Sequence, residues 1–243
     1  MPEKMSKELM ITTGLCDRSA VLGIANSFEL CMDIATEHAY HIGNGLSYMR
    51  ERGLFWLAVR TRIRFFRRPA IEEIVTLSSW PERPRRLRCN RSYRLEKAGE
   101  TLFVGRTEWA VLDTAEGTLI NGDAVYSPTM QFSEPPAIDE PFARVRDNFD
   151  SIDDFATYTI RSTDIDLGGH MNNAAYIRAL MGAFPSEDDF ASAIQLLDVR
   201  YVSPSYEGEV LGFQQRTIDG GLELRAHVGE RTILLIYAQE AQV

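Results

Sequence analysis

The chain has 243 residues, enough for one large domain or two of ordinary size. Its 44% hydrophobic and 25% charged residues are those of a globular protein, and no apolar run approaches the roughly 18 residues of a membrane span, which excludes disorder and membrane spanning. A net charge of −9 argues against nucleic acid as the main partner.

The first residues, MPEKMSKELM, lack the apolar core of a secretory signal. ELMITTGLCD then predicts a strand, NSFELCMDIATEHAYHIG a helix and GLFWLAVRTRIRFF a strand of alternating pattern. EEIVTLSSWPE, RLRCNRSYRLEKAG and ETLFVGRTEWAVLD follow as β-rich runs separated by turn residues. Residues 128–154 hold Pro128, Pro135, Pro136 and Pro141, which cannot supply ladder donors, among many acids, and predict a linker over the surface. Beyond it DFATYTIRST predicts a strand and NNAAYIRALMGAF a helix. AIQLLDVRYVSP, GEVLGFQQRTID, GLELRAHVGE and RTILLIYAQE predict four strands, two of them joined at Asp219-Gly220-Gly221. The expected organisation is a first domain over 1–127, the linker over 128–154 and a second domain over 155–243.

Both halves place a helix early and an antiparallel meander after it. Such a helix buries its apolar stripe only where a sheet wraps it, so the expected class is α+β built by duplication. Pro69-Ala70-Ile71-Glu72 with Val75 matches Pro204-Ser205-Tyr206-Glu207 with Val210 at an offset of 135. Aligning the strand–helix entries at an offset of 145 puts Leu22-Gly23 on Leu167-Gly168, Val21 on Asp166 and Ala25 on His170. In that register only the second half carries a polar pair.

The average charge hides a basic block. Residues 52–106 hold 13 arginines and Lys97 against Glu72, Glu73, Glu82, Glu96 and Glu100, a net +9 that leaves −18 on the remainder. Arg83, Arg85, Arg86, Arg88, Arg91 and Arg94 form a strip that attracts an acidic partner. The alternative is that alternating arginines, such as Arg60, Arg62 and Arg64, are the solvated face of strands.

DIDLGGHMNNAAY, residues 164–176, joins two aspartates, a glycine pair, a histidine and two asparagines to an aliphatic run. One reading is structural: Gly168-Gly169 permits a tight turn, Asn172 or Asn173 caps a helix, and Asp164 and Asp166 are turn residues. The other is chemical. Free N–H groups at a helix N-terminus favour a developing oxyanion and a neutral imidazole, the form of His170 that accepts a proton or orients water. Asp166, four residues before it, is a carboxylate able to activate water or attack directly. Thioester hydrolysis suits so small a set of groups, because a thiol with pKa about 8.5 leaves without a strong general acid.

Other chemistries have no anchor. Gly-x-Ser-x-Gly and His-Glu-x-x-His are absent, and no Gly-rich phosphate loop is present. His38 and His41 lack a third metal ligand and read as surface or satisfied polar residues. Cys16, Cys31 and Cys89 are too few and scattered for a disulfide framework and read as packed thiols of a reduced, cytoplasmic protein.

DIDLGGHMNNAAYIRAL resembles the Asp-x-Asp-x-x-x-His-(Val/Met)-Asn-Asn-x-x-Tyr signature of the acyl-acyl carrier protein (acyl-ACP) thioesterases of bacteria and plant plastids. DIATEHAYHIGNG, LFWLAVRTRIRFFRRP and VTLSSWPERPRRLRCNRSYRL resemble that family's first helix, long strand and basic strand pair, so the likeness runs in order over nearly the whole chain. It implies a double hotdog: two tandem hotdog domains, each a long helix wrapped by an antiparallel sheet. It implies Asp166 and His170 as the catalytic residues, with backbone N–H groups near Gly169 for the oxyanion and Asn172, Asn173 and Tyr176 in support. An asparagine common in the family falls at Gly168, and a glutamate of the plant enzymes falls near Pro204, with Glu207 close in sequence.

The resemblance further implies hydrolysis of a fatty acyl group from acyl carrier protein, ending fatty acid synthesis, with no metal or dissociable cofactor. Arg83, Arg85, Arg86 and Arg88 would dock the carrier, and an apolar channel beside the first helix would take the chain. The alternatives are a hotdog enzyme acting on acyl-CoA and a non-catalytic acyl-thioester-binding protein. A dimer of chains stays open.

Overall fold

The computed structural model describes residues 4–132, 134–185 and 190–240; the outer ends of both predicted domains (1–3 and 241–243), residue 133 of the predicted linker and 186–189 lie outside the described residues. The chain divides into two compact units, Met1–Glu140 and Pro141–Val243, and the division falls inside the predicted linker.

The first unit runs β1 (Met5–Met10), α1 (Ile24–His41), α2 (Leu46–Glu51), β2 (Leu54–Phe65), β3 (Ile74–Pro81), β4 (Cys89–Lys97), β5 (Glu100–Asp113) and β6 (Thr118–Ile120). Its strands pair antiparallel in the order β1-β3-β4-β5-β2, with β6 on β5. Alternation drives the sheet: Ile63 and Phe65, Val75 and Leu77, and Tyr93 and Leu95 all point into the core. In α1 the buried residues Ile24, Phe28, Cys31, Ala35 and His38 recur every three or four positions and lie against β1 and β3. The sequence reading did not contain α2 and β6, which are too short to carry a period.

Among the described residues the segment after β6 forms no strand up to residue 155; most of it is exposed, but it is pinned at intervals. Its carbonyls, which have no ladder partner, take side-chain donors instead. Trp80 Nε1 donates to Pro135 O (3.0 Å), Arg106 to Ile138 O (3.4 Å) and Arg62 to Glu140 O (3.5 Å). Arg62 is buried, and Arg64 pairs with the Glu140 carboxylate at 2.6 Å. The alternating arginines are therefore partly spent on the linker, not left as a solvated face.

The second unit runs β7 (Ala156–Thr159), α3 (Asn173–Ala183), α4 (Phe190–Ala193), β8 (Ile194–Tyr201), β9 (Val210–Ile218), β10 (Gly221–Val228) and β11 (Arg231–Glu240). Its antiparallel order is β8-β11-β10-β9-β7. The β9–β10 hairpin turns at Asp219-Gly220, where Gly220 supplies a φ of 84°. The end of the linker is tied to this sheet: Arg216 donates to Asn148 O and Arg146 O, Gln214 to Ile152 O, and Phe149 is fully buried. α3 has 11 residues against the 18 of α1. No helix among the described residues is long and apolar enough to cross a membrane.

Candidate active site

The stretch that enters α3 closes on itself before the helix begins. A 3-10 turn, Ser162–Asp164, is followed by an antiparallel bridge between Ile165 and Met171. Inside that bridge the Asp166 N–H donates to His170 O (2.9 Å) and the Gly169 N–H to Asp166 O (3.0 Å). Asn172 is the cap: its side-chain oxygen accepts the Ala174 N–H at 2.8 Å, and Asn173 is the first helical residue. Asp164 is buried and structural, accepting from the Tyr158 hydroxyl (2.8 Å) and the Arg161 N–H (2.9 Å).

The loop brings Asp166 and His170 together. His170 Nδ1 stands 3.7 Å from Asp166 Oδ1, ion-pair range but longer than a direct hydrogen bond, and both side chains are 28% exposed. The same carboxylate oxygen accepts the Gly168 N–H at 2.7 Å. A carboxylate fixed by a backbone donor and faced by an imidazole, partly open to solvent, can activate a water or attack an acyl carbon. The amides of Gly168 and Gly169 both donate to Asp166 within the loop. Gly169 also supplies the turn, at a φ of 77°.

Tyr176 is buried and points to the support of the site rather than to the pair. Its hydroxyl and Ser205 Oγ are 2.8 Å apart, and it accepts the Ser205 N–H at 3.0 Å. Burial pushes the Tyr176 hydroxyl pKa upward, against the opposing Ser205 bonds. The Met171 N–H donates to Ser205 O (2.9 Å), so Ser205, missed in the sequence reading, ties the helix entry to the turn before β9. Pro204 and Glu207 on that turn are exposed, and the Pro204 carbonyl accepts from Arg231.

The first unit repeats this loop in a register that corrects the sequence alignment. Cys16 bridges Leu22, the Asp17 N–H donates to Val21 O (2.9 Å), the Ala20 N–H to Asp17 O (3.0 Å) and the Ser19 N–H to Asp17 Oδ1 (2.9 Å). Asp17 thus stands at the place of Asp166, Ser19 at Gly168, Ala20 at Gly169 and Val21 at His170, an offset of 149 rather than 145. The shared Leu-Gly dipeptide had favoured the wrong register; shared hydrogen bonds fix the right one. The first unit keeps the carboxylate and lacks only the imidazole. The second repeat also moves by one, to 136: the Ala70 N–H donates to Glu73 Oε1 (3.0 Å) as the Tyr206 N–H does to Glu209 Oε2 (2.9 Å).

The sequence of the first unit matches the family model of the acyl-ACP thioesterase N-terminal domain over residues 2–120, and that of the second matches the C-terminal domain over 150–232. The chain belongs to the acyl-ACP thioesterase family. Chloroplastic oleoyl-acyl carrier protein thioesterase of Coriandrum sativum is 23% identical over 209 residues, 77% of this chain and 55% of that protein. Oleoyl-acyl carrier protein thioesterase 1 of Arabidopsis thaliana is 23% identical over 204 residues, 75% and 55% of the two. The chain spans about half the length of the curated relatives it matches. An acyl-ACP thioesterase structure from Bacteroides thetaiotaomicron superposes with a TM-score of 0.87 at 21% identity, over 98% of each chain. The 12:0-ACP thioesterase from Umbellularia californica superposes with 0.84 at 17% identity, over 99% and 98%. The fold is the double hotdog of these acyl-ACP thioesterases.

The remaining candidates separate by burial. Arg83, Arg85, Arg86 and Arg88 are exposed on the β3–β4 connection around an exposed Leu87, whereas Arg91 turns inward. Arg91 meets the fully buried His38 Nδ1 at 3.0 Å and Ser79 Oγ at 3.1 Å, so the interior beside the end of α1 is polar there rather than wholly apolar. His41 is exposed. Cys31 and Cys89 are buried, which pushes the Cys89 thiol up to about 12 and Cys31 in the same direction. Among the described residues no cluster of His, Cys, Asp and Glu could hold a metal ion.

Proposed function

We propose that the protein hydrolyses a fatty acyl thioester on acyl carrier protein to free fatty acid and holo-carrier, ending fatty acid synthesis. The observation that carries this is the Asp166–His170 pair, 3.7 Å apart at the entry to α3 in a chain of this family. Asp166 activates a water or attacks the acyl carbon; His170 orients that water or accepts its proton. The departing thiol needs little acid assistance, which suits a site with one carboxylate and one imidazole. Asn172, Asn173 and Tyr176 support the loop and the helix start.

Charge supports the carrier as donor. Arg83, Arg85, Arg86 and Arg88 project from one exposed connection and offer an acidic partner a concentrated positive field around Leu87. The free thiols support a reducing compartment such as the cytoplasm. Thiol release from one acyl chain presented on carrier protein and on CoA tests the reading. Faster release from the carrier is expected; faster release from CoA makes it an acyl-CoA thioesterase, and tight binding without release makes it a binding protein.

A further inference from the structure

The interior of the first unit changes character along its sheet. Strand register arranges the face toward α1 in rungs that cross β3, β4, β5 and β2. Leu77, Leu95, Phe103 and Phe65 form an apolar rung, and all four are buried. Ser79, Tyr93, Gly105 and Ile63 form the next. The third holds Pro81, Arg91, Thr107 and Thr61, with the two threonine hydroxyls 3.1 Å apart. The buried stripe of α1 likewise runs from Phe28 and Cys31 to end on His38.

Arg91 on the third rung is 5% exposed, and among the described residues no carboxylate pairs with it. Its Nη1 donates to His38 Nδ1 at 3.0 Å and to Ser79 Oγ at 3.1 Å, two acceptors without charge. Glu82, which follows Pro81, is already taken by Arg106 and Ser92. A guanidinium buried without a counter-charge is destabilising. The Nε–Nη2 edge of Arg91 has no acceptor among the described residues. That edge is the one that grips carboxylates elsewhere in the chain: Nε and Nη2 of Arg106 both bond Glu82, and those of Arg216 both bond Glu223. On the rungs to either side, the Tyr93 hydroxyl and the Trp109 Nε1 are buried without a well-formed hydrogen bond among the described residues.

We propose that Arg91 makes this part of the interior a carboxylate subsite, and that the acyl group the protein prefers ends in a carboxylate rather than a methyl. This rests on the hydrolytic reading, with the interior beside α1 taking the acyl chain. The apolar rung holds methylenes, and the Nε–Nη2 edge of Arg91 binds the terminal carboxylate side-on. No bond is made or broken at this end, so Arg91 selects the substrate and takes no part in the chemistry.

The test measures thiol release from acyl carrier protein bearing plain and ω-carboxy acyl groups of matched length, from octanoyl to hexadecanoyl. The ω-methyl esters serve as uncharged controls, and Arg91→Leu and Arg91→Lys are compared with wild type. At the best length kcat/KM is expected to be about tenfold or more higher for the ω-carboxy group than for its plain partner or its ester, chiefly through KM. Arg91→Leu is expected to reverse that order. Arg91→Lys is expected to keep it at a smaller ratio, because an ammonium has no bidentate edge. A wild-type enzyme without the carboxylate preference at any length overturns the proposal, whether or not the variants fold; so does a preference that Arg91→Leu retains. Absence of thiol release from every donor sinks the hydrolytic reading instead. Thermal unfolding then judges the subsite: greater stabilisation by decanoate than by decanamide, lost in Arg91→Leu, supports it, and equal stabilisation overturns it.

Discussion

The loops that enter α1 and α3 are the same turn put to two uses. Both follow a 3-10 turn, close with one antiparallel bridge and bind an aspartate carboxylate to the N–H two residues on. In the first unit the carboxylate is spent on structure: Asp17 pairs with Arg68, and the same guanidinium donates to Leu22 O at 3.2 Å. In the second unit the equivalent carboxylate, about as exposed as Asp17, faces His170 instead of an arginine. The fold therefore builds this loop without an aspartate–histidine pair. The pair is an addition to a structural turn, and the place to look for chemistry is where the copies differ.

The largest expected effect follows from removing the carboxylate that only the second loop sets against a histidine. Asp166→Asn is expected to lower turnover by about 10³-fold or more while its melting temperature stays with wild type, because the loop is held by backbone bonds. Thiol-release kinetics beside thermal unfolding checks both halves of the statement. His170→Val installs the residue of the first copy and is expected to cost about 10²-fold. The reciprocal change sharpens the comparison: Asp166→Asn with Val21→His should stay as slow as Asp166→Asn alone, since Arg68 occupies Asp17. Recovered turnover in that double variant would break the contrast between the loops.

Periodicity and turn chemistry made most of this fold legible. The alternation of GLFWLAVRTRIRFF and the three-and-four spacing of α1 report local geometry, and the structure places β2 and α1 on those stretches. Asn172 as the cap was legible for the same reason. What sequence could not supply was register. Leu-Gly against Leu-Gly is an attractive match, but hydrogen bonds count backbone positions, and they pair Asp17 with Asp166 through neighbours of unlike type. The role of Ser205 was equally hidden, because its partners Tyr176 and Met171 are distant in sequence. Gly168 read as a turn glycine; its φ outside the left-handed region and the His170 ring beside it separate it from Gly169.

A second contrast lies in the matching hairpins. In the second unit β9 and β10 join through Asp219-Gly220, whereas β3 and β4 are joined by residues 82–88 with four exposed arginines. Arg88 lies 3.6 Å from Glu108, and Arg83 stacks over Phe132 at 5.4 Å. Arg85→Glu with Arg86→Glu is expected to raise KM for acyl carrier protein by about tenfold, an effect that shrinks with added salt. KM for the same acyl group on CoA should not change. Equal losses on both donors would move these residues out of carrier docking and into the structure of the connection.

The smallest effect is expected where the loops differ without consequence. Gly169 has a left-handed φ, which suggests at first that no other residue is tolerated. Ala20 stands at the same place in the first unit with a φ of 57°, and a Cβ at Gly169 meets nothing within 4 Å. Gly169→Ala therefore costs only the intrinsic left-handed penalty, about 1 kcal/mol of stability. Its amide still donates to Asp166 O, and the ring of His170 is not displaced, so turnover should stay near wild type. A collapse of turnover in Gly169→Ala would mean that the loop must flex during the reaction, and the likeness of the two turns would fail at this position. Retained turnover would show that Gly169 serves the turn alone, as Ala20 does in the first unit.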